Sequence, residues 1–168
     1  MKLYLKQEFF SWKDRAWVKD ETGADRYFIE GKVLSIGKKL WIMTPEGEQL
    51  AFVRQKVPTL MPKFIVEIGG SEVAMIAKKF TFLKPKYEID GLGWTVQGDF
   101  FGHDYTVYAC ERPIITIHKK WMTWGDTFEL DIAQGTDEVL ALSVVVAIDA
   151  VMDAQQASSS AAFSSSSN

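Results

Sequence analysis

The chain has 168 residues, of which 47% are hydrophobic, 13% aromatic and 24% charged. This composition is typical of one globular domain with a hydrophobic core and excludes a disordered or fibrous protein. Nineteen Lys and Arg against 22 Asp and Glu give a net charge of -3, so the chain as a whole carries no field that would attract nucleic acid. A single cysteine, Cys110, excludes an internal disulfide and is compatible with a reducing compartment.

Residues 2–132 consist of short runs rich in Val, Ile, Phe, Tyr, Trp and Thr, separated by turn sequences such as Thr-Pro-Glu-Gly at 44–47. Counting these runs predicts about twelve strands at spacings of ~8–12 residues, which is typical of a sandwich or a barrel rather than of βαβ units. The clearest alternation lies at 128–132, where Phe, Leu and Ile share one face and Glu129 and Asp131 share the other.

A helix is predicted over residues 137–154, beginning at Thr136 or Asp137 as N-cap. The three valines at 144–146 favour a strand instead, but the length of the segment favours a helix. Apolar side chains lie on all sides of this helix, so it needs neighbours all around it. The predicted fold is therefore an all-β closed barrel of about twelve antiparallel strands with a buried C-terminal helix through its centre.

Residues 1–153 are predicted to form this single domain, and the Ser-rich residues 155–168 a disordered tail. The N-terminus lacks the apolar run of a signal peptide, and no segment reaches the ~20 apolar residues that a membrane span requires. We therefore expect a cytoplasmic protein without a transmembrane span.

Residues 36–40, 76–80 and 117–121 repeat one pattern, which is Ile, any residue, two lysines and an apolar residue. The copies begin 40 and 41 residues apart, which suggests duplicated hairpins around a common core. Regular pleating would place the first lysine of each pair on the apolar face, so we expect a β-bulge that turns both ammonium groups outward. The paired lysines are Lys38, Lys39, Lys78, Lys79, Lys119 and Lys120.

Four segments carry a resemblance to a known family. They are Tyr-Phe-Ile-Glu-Gly-Lys-Val-Leu-Ser-Ile-Gly-Lys-Lys-Leu at 27–40, Gly-Asp-Phe at 98–100, Gly-Asp-Thr-Phe-Glu-Leu-Asp-Ile at 125–132 and Val-Val-Ala-Ile-Asp at 145–149. They resemble sequences of the LURP-one-related family, a relative of tubby C-terminal domains and phospholipid scramblases. Their order and spacing cover nearly all of the predicted domain. The resemblance implies a twelve-stranded β-barrel around a central, mainly hydrophobic C-terminal helix, in agreement with the strand count.

The resemblance implies less about function, because related folds share architecture more readily than sites. Tubby domains bind phosphoinositide head groups and scramblases are linked to lipid movement, whereas most LURP-one-related proteins have no established biochemical activity. The tubby phosphoinositide residues have no residue-by-residue match in this sequence, and no acidic run resembles the scramblase calcium motif.

The residue types of an active site occur twice, and in both places we favour a structural role. Glu129 and Asp131 have Cβ atoms ~6.5 Å apart, within the range of paired glycosidase carboxylates, but nothing nearby predicts a sugar cleft. His103 and Asp104 point opposite ways in an extended chain, which argues against an oriented pair that activates Cys110, a residue expected in the core.

No metal or cofactor is predicted, because His103 and His118 lack a clear third ligand. A carboxylate at Asp149 is unusual inside an apolar helix. It is either buried with a polar role or, as we favour, placed at the barrel rim where the helix emerges. Trp121 and Trp124 beside the third lysine pair suit a membrane interface, but we favour a place in the strand core or at the barrel rim, which explains them without a membrane.

The sequence thus favours a binding module rather than an enzyme. We expect contact with anionic lipid head groups, or another polyanion, through the outward lysines of the three pairs, joined by Lys84 and Lys86. This expectation requires the lysines to share a face. A protein-interaction or scaffold barrel without a lipid ligand is the alternative, and a hydrolase that uses Glu129 and Asp131 is the second alternative.

Overall fold

Twelve strands follow one another along the chain and close around one helix. The computed structural model describes residues 1–6, 15–32, 36–79, 86–100, 102–122 and 125–164. The strands are β1 Lys2–Lys6, β2 Arg15–Lys19, β3 Asp25–Lys32, β4 Lys39–Met43, β5 Gln49–Gln55, β6 Lys63–Ile68, β7 Ser71–Lys79, β8 Lys86–Asp90, β9 Trp94–Asp99, β10 Asp104–Ala109, β11 Arg112–Met122 and β12 Gly125–Ile132. The helix α1 runs over Glu138–Ser164.

Every strand pairs antiparallel with its neighbours in sequence, and β1 pairs with β12 to close the barrel. In the closing pair, Lys2 lies opposite Asp131 and Leu5 lies opposite Phe128. The predicted closed barrel with a C-terminal helix is therefore confirmed.

The core forms where the inward residues of the strands meet α1. On β12, Phe128, Leu130 and Ile132 are buried as predicted. The other face is only partly exposed to solvent, because Asp131 is exposed but Glu129 is buried. Every residue of α1 from 141 to 152 is buried, so the helix has neighbours on all sides. The Val triplet is helical because tertiary burial outweighs the loss of χ1 freedom.

Asp137 is the N-cap of α1, since its side-chain oxygen accepts a hydrogen bond from the backbone N–H of Leu140 at 2.7 Å. Ion pairs hold the helix to the wall at both ends of the barrel. Arg26 Nε lies 3.2 Å from Glu138 Oε1 at the barrel end where α1 begins, which we call the proximal end. Lys38 Nζ lies 2.5 Å from Asp153 Oδ2 at the opposite end, which we call the distal end.

Burial of α1 ceases after Met152, where the helix leaves the barrel at the distal end. It continues to Ser164, ten residues beyond the predicted helix end at Ala154 and into the segment that was expected to be disordered. Among the described residues, no helix has both the length and the apolar character that a membrane crossing requires.

Candidate functional site

The two ends of the barrel carry opposite charge. The six proximal connections contain six carboxylates and no Lys or Arg: Asp20, Glu21, Glu46, Glu48, Glu111 and Asp137. The residues that begin or end a strand at the proximal end include two acidic and three basic ones. At the distal end, two such residues are acidic, Asp99 and Asp104, and seven are basic: Lys6, Arg15, Lys32, Lys39, Lys63, Lys79 and Lys86. Within the described part of the chain, the distal end is therefore where an anion would be attracted, although the net charge is -3.

The first lysine of each repeated pair lies on the inward side of its strand, near the distal mouth. Lys78 alternates with the buried residues Ala74 and Ile76, and Lys119 follows Ile117 in the same way. The registers of β7 with β8 and of β11 with β12 run without a shift through these pairs. The predicted β-bulge is therefore wrong, because regular pleating continues through the lysines to the strand ends.

Lys38 is used inside the fold. Its side chain is 13% exposed and ion-paired with Asp153 on α1. Burial lowers the pKa of Lys38, and Asp153 opposes that shift. This lysine anchors the helix and is not offered to a ligand on the outer wall.

The second lysines, Lys39, Lys79 and Lys120, point outward but lie on β4, β7 and β11, separated around the wall by two, three and four intervening strands. Lys79 Nζ pairs with Glu88 at 2.7 Å, and Lys120 Nζ pairs with Glu129 at 2.6 Å. The six predicted lysines thus do not share one face. Lys84, Trp12 and Trp124 lie outside the described residues, as do the side chains of Lys86 and Trp121.

A different set of lysines converges on one sector of the distal end. Lys32 lies directly opposite Lys39 across β3 and β4, and the backbone N–H of Lys56 donates to the carbonyl oxygen of Lys63 at 2.8 Å. Lys39 also lies opposite Arg54, which is itself ion-paired with Glu67 and Glu72. Among the described residues, no acidic side chain forms an ion pair with any of the four lysines. Opposed like charges repel, so this arrangement costs stability unless an anion binds.

Three large apolar side chains are exposed between these lysines. Ile36 is 90% exposed, Val57 41% and Leu60 104%, whereas the other exposed large apolar residues among those described, Met1 and Trp17, lie elsewhere. The loops that hold the three are joined, because the backbone N–H of residue 55 donates to the carbonyl oxygen of residue 38 at 2.8 Å. We call this surface the β3–β6 rim, which consists of Lys32, Ile36, Lys39, Lys56, Val57, Leu60 and Lys63.

Gly37 explains why Ile36 differs from the isoleucines of the other two repeats. Ile76 and Ile117 are 0% exposed. Gly37 has a φ of 82°, and a Cβ there would come within 3.3 Å of the Cβ and the carbonyl oxygen of Gln55. The other repeats carry Ala and His at this position, so only the first copy has a residue that adopts this turn without strain.

A family model for LURP-one-related proteins matches residues 1–149. The chain belongs to the LURP-one-related family. It is also similar to the uncharacterized protein YxjI of Bacillus subtilis (strain 168), with 32% identity over 152 residues, 90% of this chain and 94% of YxjI. The X-ray structure of an Arabidopsis thaliana protein matches with a TM-score of 0.65 and 17% identity over 89% of this chain and 90% of that one. At that identity the structural match supports the barrel fold alone.

The family match names neither a ligand for the β3–β6 rim nor a catalytic role for Glu129. The Glu129 side chain is 4% exposed and lies between Lys2 Nζ at 3.0 Å and Lys120 Nζ at 2.6 Å. Burial alone would raise the pKa of Glu129, but hydrogen bonds from Lys120, Lys2 and Tyr4 outweigh it and hold the pKa below its usual value. Glu129 is therefore an ionised carboxylate joining β11, β12 and β1, whereas a general acid in a glycosidase needs a raised pKa.

Asp149 is 2% exposed, so our expectation of a rim position is wrong. Its Oδ1 atom lies 3.5 Å from Nδ1 of His103, at the inner side of the distal end. Burial raises the pKa of Tyr87 to about 12, and Asp149 adds to that rise. Burial and then Asp149 also raise the pKa of Tyr105, so both phenols stay neutral beside the carboxylate.

The other polar residues of the sequence do not assemble into a nucleophilic site. Asp104 turns away from His103 and contacts His118, whose Nδ1 atom lies 2.8 Å from Asp104 Oδ1. Cys110 is exposed in the β10–β11 turn at the proximal end, so the expected core position is wrong. In the described ranges, no group of three or more His, Cys, Asp or Glu side chains lies close enough to hold a metal ion.

Sequence reasoning missed most of the β3–β6 rim because it relied on the repeated Lys-Lys pair. The segment Lys-Val-Pro-Thr-Leu-Met-Pro at 56–62 has neither strand nor helix periodicity, yet it holds two large aliphatic residues between prolines and lysines. Aliphatic residues in a proline-containing loop that interrupts the strands are a signal for exposed apolar tips. The glycine of the first repeat was a second signal, since it marked the copy that leaves the regular strand.

Proposed function

We propose that this protein is a peripheral binding module for anionic lipid head groups, and that the β3–β6 rim is its contact surface. The observation that supports it most is the convergence of Lys32, Lys39, Lys56 and Lys63 without an acidic partner among the described residues. Of the six lysines in the repeated pairs, the proposal retains only Lys39. Lys32, Lys56 and Lys63 take the place of the other five. It places the protein at the cytoplasmic face of a membrane, where anionic lipids attract basic surfaces.

The strength of such binding follows from the number of lysines. A lysine near an anionic membrane contributes about 1 kcal/mol, so the four lysines supply about 4 kcal/mol. That corresponds to an affinity of roughly 1 mM from charge alone, which is weak and falls as salt shortens the Debye length. A non-catalytic role agrees with a family and a barrel fold that are not known as catalytic.

The test is sedimentation with phosphatidylcholine vesicles that contain or lack phosphatidylserine or a phosphoinositide. Wild type should sediment with the anionic vesicles at low salt and be released as salt rises. The triple variant Lys39→Gln, Lys56→Gln and Lys63→Gln should lose most of this binding, because three of the four rim charges are removed.

The matched control is Lys19→Gln, Lys79→Gln and Arg112→Gln, which removes the same charge from surfaces outside the rim. These residues are exposed or half-buried, so the fold should tolerate the changes. Equal loss of binding in both triple variants would mean that overall charge, and not the rim, attracts the vesicles. If wild type binds no anionic vesicle at low salt, the lipid proposal fails and the protein-interaction barrel becomes the better hypothesis.

A further inference from the structure

The exposed apolar tips of the β3–β6 rim have a use that lysines alone do not explain. Ile36 and Leu60 extend almost their whole side chains into solvent, and Val57, in the same loop as Leu60, is also exposed. A soluble polyanion would satisfy the lysines but would leave these side chains in water. We infer that the partner is an assembled bilayer, into which Ile36 and Leu60 insert below the head groups while the four lysines stay at head-group level. This inference rests on the proposed function and names the physical state of its partner.

The geometry of the two loops favours insertion over accidental exposure. Hydrogen bonds join the loops at residues 38 and 55, so the tips are presented together by neighbouring hairpins. The hydroxyl of Thr59 donates to the carbonyl oxygen of Lys56 at 3.1 Å, which fixes the turn that carries Leu60. A preformed loop loses little conformational freedom on docking, so most of the apolar gain is retained.

The flanking charges indicate an anionic lipid surface rather than an apolar protein groove. Lysine side chains beside large apolar residues suit the boundary between head groups and acyl chains, because their alkyl stems lie against apolar surface while their ammonium groups stay in water. A protein groove would instead have to supply an acid for each of four lysines around two aliphatic tips.

The experiment follows an environment-sensitive fluorophore attached to cysteine. One variant carries Leu60→Cys with Cys110→Ser, and the matched control carries the label on the native Cys110, which is exposed at the opposite end of the barrel. With phosphatidylserine vesicles we expect a blue shift and an intensity rise for the label at 60 and no change for the label at 110. A silent label at 60 on protein that still sediments would overturn insertion and leave head-group binding intact.

A second measurement uses unlabelled protein. The double variant Ile36→Ser with Leu60→Ser should weaken vesicle binding by about tenfold for each side chain removed from the bilayer. The conservative double variant Ile36→Leu with Leu60→Ile should bind vesicles as wild type does. Soluble inositol phosphate should bind wild type and the Ser variant equally, since it contacts only the lysines. Unchanged vesicle binding of the Ser variant would overturn the inference.

Two further outcomes separate the hypotheses. Failure of wild type to sediment at all would overturn the proposed function together with insertion. A response of the label at 60 to rising protein concentration without vesicles would show that the tips pack against a second copy of the chain, and would overturn insertion alone.

Discussion

The proximal and distal ends of the barrel both anchor α1 through an ion pair, but they differ in the charge of the surrounding surface. At the proximal end, tight turns rich in carboxylates close the hairpins, and Arg26 holds the first turn of α1 through Glu138. At the distal end, Lys38 holds α1 through Asp153, but the lysines beside it repel one another on the outer wall. Both ends anchor the helix, so anchoring does not require the additional distal lysines.

This difference shows that lysines at the ends of the barrel do not all have the same role. Lys2 and Lys120 are neutralised by a buried carboxylate and contribute to the fold. Lys39 lies directly opposite Lys32, so we expect it to lower stability through repulsion of like charges. Residues that lower stability and form no stabilising contact in the fold are expected at a binding surface.

The largest effect should come from removing the carboxylate that neutralises two lysines. Glu129→Ala should lower the free energy of unfolding by about 2–3 kcal/mol, at the low end for a buried pair because both lysines are partly exposed. Urea unfolding measures this. The neighbouring exposed change Asp131→Ala should stay within about 0.5 kcal/mol. Equal effects of the two substitutions would show that Glu129 does not join the strands.

The stability that Glu129 supplies should depend on pH. Its folded-state pKa is depressed, so the contribution is complete above the ordinary glutamate value of 4.5 and is lost as pH falls through the folded-state pKa. The difference in urea midpoint between wild type and Glu129→Gln should therefore be constant near neutral pH and shrink below that value. A difference that grows on acidification would contradict the depressed pKa.

A smaller effect of opposite sign should follow removal of a rim lysine. Lys39→Ala relieves repulsion from Lys32 and should raise the free energy of unfolding by about 0.5 kcal/mol. The same variant should weaken binding to anionic vesicles. Lys79→Ala is the control, because it loses the partner Glu88 and should bring no such gain. Destabilisation by Lys39→Ala would show that Lys39 contributes to the fold.

The smallest effect should come from deleting residues 155–168. Burial of α1 ends at Met152, so we expect the melting temperature to stay nearly unchanged. Calorimetry of the shortened chain measures this. A fall of several degrees would mean that the tail packs against the barrel.

The fold could be predicted because its signals are periodic. Alternation at 128–132 indicated one inward face, and the apolar surface around α1 required a closed wall. Asp149 was harder, because helix periodicity gives the face of a residue but not its depth along the barrel. It lies buried inside the barrel, where the β9–β10 turn brings Nδ1 of His103 to 3.5 Å from its Oδ1 atom.

The candidate site was harder still, because it depends on departures from the pattern. The repeat predicted equivalent positions, yet Gly37 turns Ile36 outward while Ile76 and Ile117 stay inside. The lysine pairs were expected to share a face, but a repeat distributed around a barrel places its copies on separate sectors. Only the strand register and the loop hydrogen bonds show that Lys32 lies opposite Lys39 and that Lys56 lies beside Lys63 on the adjoining hairpin.

The pairing of β1 with β12 also sets the order in which this chain can fold. The Lys2–Glu129 contact spans 127 residues of sequence, and the helix that fills the barrel follows later still. Contacts of such long range slow folding, because the entropy of closing a large loop is lost before the contacts form. During synthesis the inward faces of the early hairpins have no core to pack against until α1 has been made. That interval is when this protein is most exposed to aggregation.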